Sequence, residues 1–275
     1  AAVLSVALFM PGVAAYYVWT NRDTEFWRKT MKIGLAVLLV TAPFQAIHGD
    51  AYGRHVADTQ PQKFAAMEAQ YETDSSVGLK LLAFPTSIED ITDPHAEDLF
   101  VIEIPFVASL LASGDDPGAT ITGLNEFDSE SPPVAIVFWA FRAMVGLGFW
   151  FILLAFWGGY RWLRGDLFED DLLAKALVGS SVLGILTVEL GWIVTEVGRQ
   201  PWVIQGVMKT HAGVSPGLTG TEALITLAGF VGVYTGLLTL YWYVVVRLIR
   251  EQAPTLPATP NRDVSGPEKG VPSDD

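Results

Sequence analysis

The chain has 275 residues, 51% of them hydrophobic and 17% charged, with a mean hydropathy of +0.36; that is too apolar for an ordinary soluble domain and suits a membrane protein. Seventeen Lys and Arg against thirty Asp and Glu give a formal charge of −13, which removes the basic surface that nucleic-acid binding needs. There is no cysteine, so disulfides, thiolate zinc sites, iron–sulfur clusters and thiol nucleophiles are excluded, and any metal must be held by His, Met or carboxylate.

The first twenty residues, AAVLSVALFMPGVAAYYVWT, carry no charge and are long enough to span hydrocarbon. No initiator Met and no basic lead of a signal peptide precede them, so the expectation is a chain cut inside a larger protein. Four more spans follow from hydropathy and length: Ile33 to Ile47, Val134 to Trp157, Leu172 to Val194 and Ala223 to Val246. The expected fold is therefore an all-α, polytopic membrane helix bundle of about five transmembrane helices. Two lie in residues 1–49 and three in 133–250, separated by a long acidic loop over 50–132 and followed by a disordered cytoplasmic tail over 251–275, which is Pro-rich and polar.

The connection before the second span carries Arg22, Arg28, Lys29 and Lys32, and the one after the third carries Arg161 and Arg164, whereas the long loop has three Lys or Arg against sixteen Asp or Glu. Basic loops face the cytoplasm, which puts the acidic loop outside a prokaryotic plasma membrane and Arg247 and Arg250 inside. The acidic excess also suits a halophile's surface, with a single acidic extracellular loop as the plainer alternative. Within the loop, Phe64, Met67 and Tyr71 recur at helical spacing, the pattern of an amphipathic helix. The run IPFVASLLAS from Ile104 is half a span long, as an interfacial or re-entrant piece would be.

Two constellations point to chemistry. In GWIVTEVGRQPW, Trp192, Glu196 and Arg199 stand at i, i+4 and i+7 and share one helix face, with Glu189 seven residues before Glu196. An ionisable group there costs at least ~2.5–3.5 kcal/mol to insert, so it faces a partner, a cavity or a cofactor; a structural Glu–Arg pair is the alternative. In AFRAMVGLGFW, Arg142 and Met144 lie about ten residues from the outer end of the third span. A thioether suits haem iron or Cu(I) and a mid-membrane Arg neutralises a carboxylate or propionate, although a Met in an apolar span also serves as packing. By depth, Arg142 and Glu196 both fall in the outer half of the membrane, so one cofactor layer there could engage both helices. Lys63 and Glu68 on the loop helix either contact a polar head group or form a solvated face. His48, at a span boundary, is assigned no role.

The motifs GWxxxExGRQPW, FRxMVGLG and QKFAAMEAxYET, in that family's order and spacing, resemble subunit I of the cytochrome bd quinol oxidases over Ala1 to Glu251. The resemblance implies a membrane enzyme that oxidises quinol at the outer face and reduces O2 to water, generating a proton gradient with a second membrane subunit, two b-type haems and a haem d or substitute haem. Met144 would be an axial ligand of the low-spin haem b, with Arg142 beside its propionates or the quinol. Glu196 would coordinate the high-spin haem b, Trp192 would lie between haems, and Arg199 would pair with a propionate. Lys63 and Glu68 fall on quinol-loop positions, and Glu189 is a candidate for a proton path. The family's two haem-ligating histidines would lie upstream of Ala1, which implies that these residues alone have no oxidase activity. A multi-pass carrier and a non-catalytic scaffold are the competing classes; a carrier would show internal repeats, and none is evident.

Overall fold

The computed structural model describes residues 1–20, 24–85, 98–127 and 130–252. Arg22 and the expected tail from residue 253 onward lie outside them, while Glu251 and Gln252 are helical. Residues Ala1–Val214 form one compact unit and residues from Ser215 a second.

In the first unit, α1 (Ala2–Trp19), α2 (Glu25–Thr59) and α5 (Val134–Arg164) are each long and apolar enough to cross a membrane. Helices α6 (Asp171–Ser180) and α7 (Leu183–Val197) reach that length only together, across a bend of 41°. The expected fourth span is thus broken. The sequence GSSVLG explains the break, since Gly and Ser weaken a helix and offer competing hydrogen bonds: the Ser181 hydroxyl donates to the Val178 carbonyl at 2.8 Å, and Ser180 accepts from the Trp150 indole N–H at 2.8 Å. In the second unit, α8 (Gly220–Gln252) supplies the remaining apolar span. Thr219 and Glu222 form a capping box at its start, with the Thr219 N–H donating to the Glu222 carboxylate at 2.9 Å.

Helix α1 packs on α2 and α6, and α5 packs on α2 and α7. Leu8, Met31, Leu35, Leu38, Phe151, Leu154, Leu173 and Leu177 make the core of this bundle. At the end away from the long loop, Asp170 caps α6 by accepting from the Leu173 N–H at 2.9 Å and from Arg161 and the Trp157 indole on α5 at 2.5 and 3.1 Å. One carboxylate thereby fixes the turn between the two helices.

Helix α2 has 35 residues, about 50 Å at 1.5 Å per residue, against ~30 Å of hydrocarbon. Its polar last turns carry the chain out of the bundle and directly into α3 (Pro61–Glu68). The loop is folded around that stalk. It contains β1 (Asp74–Ser75) paired with β4 (Thr120–Ile121), β2 (Leu79–Pro85) paired antiparallel with β3 (Asp98–Ile104), and the short helix α4 (Val107–Ser113). The fold is therefore mostly helical rather than all-α. The sequence reading missed the strands because Leu79–Pro85 and Asp98–Ile104 are short apolar runs, which periodicity alone does not separate from buried helix. IPFVASLLAS supplies the end of β3 and α4, not a span. Ser109, fully buried on α4, ties the loop together: its hydroxyl accepts from the Val77 N–H at 2.8 Å and donates to the Ala119 carbonyl at 2.7 Å.

A second core joins loop to bundle, with Phe64, Met67, Ile121 and Leu124 packed against Val137 and Phe138 of α5 and Val194 of α7. This overturns the amphipathic reading of α3. Every residue from Gln62 to Glu68 is buried, so the helix has no solvated face, and its polar side chains must each find a partner inside.

Candidate functional site

Those partners define the site. Arg142, on the third turn of α5, directs its guanidinium to α3, where Nη2 donates to Glu68 Oε2 at 2.5 Å and Nη1 to Oε1 at 3.5 Å. The side chains are only 9% and 4% exposed. The Arg142 Nε also donates to the Lys80 carbonyl of β2, and the guanidinium lies 4.9 Å from the Phe138 ring and 5.3 Å from that of Phe141. A forked donor between two carboxylate oxygens, a carbonyl and two ring faces is an arrangement that arginine alone fills among the cations.

Lys63, five residues before Glu68, points to the other neighbour. Its ammonium donates to the Thr195 carbonyl in the last turn of α7 at 3.4 Å, where the helix dipole favours a cation. A Cβ placed on Gly198 would clash with the Val194 carbonyl oxygen and press on Lys63 Cγ and Val137 Cγ1 at 3.3 and 3.2 Å, so glycine fits this junction of α3, α5 and α7. Burial first, and then the Arg199 guanidinium, pull the Lys63 ammonium below its ordinary 10.5, with the Glu196 carboxylate opposing them.

On α7, Gly184, Gly191, Val194 and Gly198 line the face that packs inward. Met144 of α5 meets that face: a Cβ on Gly191 would lie 3.3 Å from its sulfur. Glu189, Trp192 and Glu196 form a separate stripe rotated away from it, with Trp192 64% exposed and Glu196 ion-paired to Arg199 within one turn. The shared face expected for Trp192, Glu196 and Arg199 is thus present. Met144 and Glu196 address different sides of α7.

Sequence reasoning missed Gln62 and Trp202. Gln62, 1% exposed, accepts from the Trp202 indole N–H at 2.8 Å and donates to the Glu130 carbonyl at 3.1 Å. The signal available was the Trp that closes GRQPW, a residue whose indole N–H needs an acceptor when buried.

Residues 1–253 match the family described as cytochrome bd terminal oxidase subunit I. The chain belongs to that family. It is 29% identical to the cytochrome bd ubiquinol oxidase subunit 1 of Bacillus subtilis (strain 168) over 262 residues, covering 92% of this chain and 55% of the relative. It is 30% identical to a putative cytochrome bd menaquinol oxidase subunit I of the same organism over 257 residues, 91% and 55% of the two chains. Its fold resembles the structure of bd oxidase from Geobacillus thermodenitrificans with a TM-score of 0.72 and 29% identity, over 90% of this chain and 55% of that one. The chain thus spans about half the length of these family members. These bacterial relatives lend no support to the high-salt reading of the acidic loop.

The donor set suits the haems of the family. Met144 offers one soft sulfur and Glu196 one carboxylate, on different sides of α7. No cluster of three or more His, Asp or Glu that could chelate a bare metal ion occurs among the described residues. Single axial donors are what an iron already held by four porphyrin nitrogens needs.

Proposed function

We propose that this chain supplies the quinol-loop region and two haem-bearing helices of a quinol:oxygen oxidoreductase that works with a second membrane subunit, reduces O2 to water and builds a proton gradient. The observation that carries this reading is the Glu68–Arg142 pair, which joins the quinol-loop helix α3 to the helix bearing Met144 two residues further on. The reading includes a plasma-membrane location with the loop outside, supported by Arg28, Lys29, Lys32, Arg161 and Arg164, all at the opposite end of the bundle.

Met144 would hold the iron of a low-spin haem b and Glu196 that of a high-spin haem b, with Trp192 between haems and Arg199 on a propionate. A haem d or substitute haem would complete the oxygen site. When bound, the haems pass single electrons from quinol to oxygen. The chain's own residues handle charge and protons. Oxidation of a quinol releases protons beside α3; Glu68 takes one up, and protonation breaks its ion pair and frees the Arg142 guanidinium to balance negative charge nearby. Lys63 orients a quinol oxygen from the other end of α3. Arg199 keeps the Glu196 carboxylate compensated where water is scarce. Glu189, on the same stripe as Glu196, is assigned to the proton path, since a carboxylate facing lipid without a role would cost several kcal/mol.

The test uses the assembled oxidase that contains this chain. Glu68→Gln keeps the shape of the side chain and removes its charge. The expected result is quinol-dependent oxygen uptake at least tenfold slower with reduced-minus-oxidised haem bands intact; unchanged uptake counts against the reading.

A further inference from the structure

Helix α3 carries a third polar side chain besides Lys63 and Glu68. Gln62 sits at the start of α3 with both ends of its amide used: the carbonyl accepts from the Trp202 indole at 2.8 Å, and the NH2 donates to the Glu130 carbonyl at 3.1 Å. Trp202 follows α7 by five residues, and Glu130 precedes α5 by four. One buried amide therefore ties α3 to the chain leaving one haem-bearing helix and to the chain entering the other. Trp202 is itself anchored in a small antiparallel pair, Trp202–Ile204 against Met208–Lys209.

The neighbouring contacts with α7 do not by themselves fix the position of α3 along that helix. Lys63 holds α7 through a single 3.4 Å hydrogen bond to a backbone carbonyl, a contact that a turn of a flexible side chain would replace. The Gly198 contact fixes how closely the helices approach, not how far α3 slides along α7. The indole–amide bond is directional, its Gln62 amide is buried and held at both ends, and it lies one residue from Lys63, so it sets the register of Lys63 against the end of α7.

We infer that Gln62 and Trp202 form a positioning pair for the quinol reaction: their hydrogen bond sets where α3 presents Lys63 and Glu68, without contact to quinol or haem. The inference rests on the quinol reading given above. Removing the bond lets α3 shift by a fraction of an ångström, which weakens quinol binding more than it slows the bound complex. Haem insertion is unaffected, because α5 and α7, which carry Met144 and Glu196, pack directly on each other without help from this bond.

The experiment compares the assembled oxidase with its Gln62→Leu, Trp202→Phe, doubly substituted and Gln62→Glu forms, measuring KM and kcat for a soluble quinol and the reduced-minus-oxidised spectrum. Gln62→Leu and Trp202→Phe are each expected to raise KM about five- to tenfold, with kcat within twofold and the haem bands unchanged. The double variant is expected to match the larger single effect, and Gln62→Glu, which keeps an acceptor for the indole but sets a carboxylate against the Glu130 carbonyl, to raise KM as well. An unchanged KM in either single variant overturns the inference, as do additive effects in the double variant or a joint loss of kcat and haem bands. No quinol oxidation by the unmodified oxidase overturns the quinol reading and this inference with it.

Discussion

Arg142 on α5 and Glu68 on α3 form a forked ion pair buried at the junction of loop and bundle, with the guanidinium completed by the Lys80 carbonyl. Removing one partner of a buried pair strands the other charge, which costs about 3–5 kcal/mol, whereas replacing both with apolar groups of similar size is close to neutral. Arg142→Met is therefore expected to lower the unfolding temperature of the assembled oxidase markedly. Arg142→Met combined with Glu68→Leu is expected to recover most of that loss, as read by thermal unfolding. A double variant that loses the sum of the two single effects would show that the pair is not the unit of stability.

Lys63 gives a pH dependence of defined sign. Its ammonium titrates below 10.5 in the folded chain, so the unfolded chain binds the extra proton more tightly and the charged lysine opposes folding at neutral pH. As pH rises from the lowered value towards 10.5, that opposition is relieved. Unfolding temperatures measured across this alkaline window are expected to fall less steeply in the parent than in Lys63→Met, which lacks the compensating gain. Identical slopes would mean that Lys63 titrates normally.

At the opposite end of the bundle Asp170 has the reverse sign. Burial disfavours its carboxylate, but the Leu173 N–H, the Arg161 guanidinium and the Trp157 indole outweigh that and hold it below its ordinary 3.8. Its contribution to stability is complete above about pH 4 and disappears as pH falls through the lowered value. Asp170→Ala loses the cap and is expected to cost about 1–2 kcal/mol on that ground alone. Asp170→Asn keeps an acceptor for Leu173 and should cost less at neutral pH, with a flatter acid limb in a pH–stability titration.

The spans, the folded loop helix and the Glu196–Arg199 pair were legible because each rests on local pattern: apolar length, 3.6-residue spacing, or charges one turn apart. What eluded the sequence depends on contacts far apart in the chain. Glu68 and Arg142 are 74 residues apart and Gln62 and Trp202 are 140 apart, so nothing in either local segment announces the other. Lys63 and Glu68 read equally well as a solvated face, and only the packing of α3 between loop and bundle shows them buried. The break between α6 and α7 was present in the sequence as GSSVLG, but the surrounding hydropathy masked it.

Gly191 lies where Met144 must stand if its sulfur is to remain free to ligate. Gly191→Val places branched carbon against that sulfur, at or inside the 3.3 Å found for a single Cβ. The variant is expected to weaken the low-spin haem b band while leaving the high-spin band in place, with Gly191→Ala intermediate, in visible spectra of the purified oxidase. Equal loss of both bands would point to general misfolding instead.

Met144 on α5 and Glu196 on α7, meeting different sides of α7, are proposed each to serve a separate haem. The direct measurement is the reduced-minus-oxidised spectrum of the assembled oxidase carrying Met144→Leu or Glu196→Gln singly. Selective loss of the low-spin b band in the first variant and of the high-spin b band in the second is the predicted result. Retention of both bands in both variants, or the same band lost in each, would contradict it.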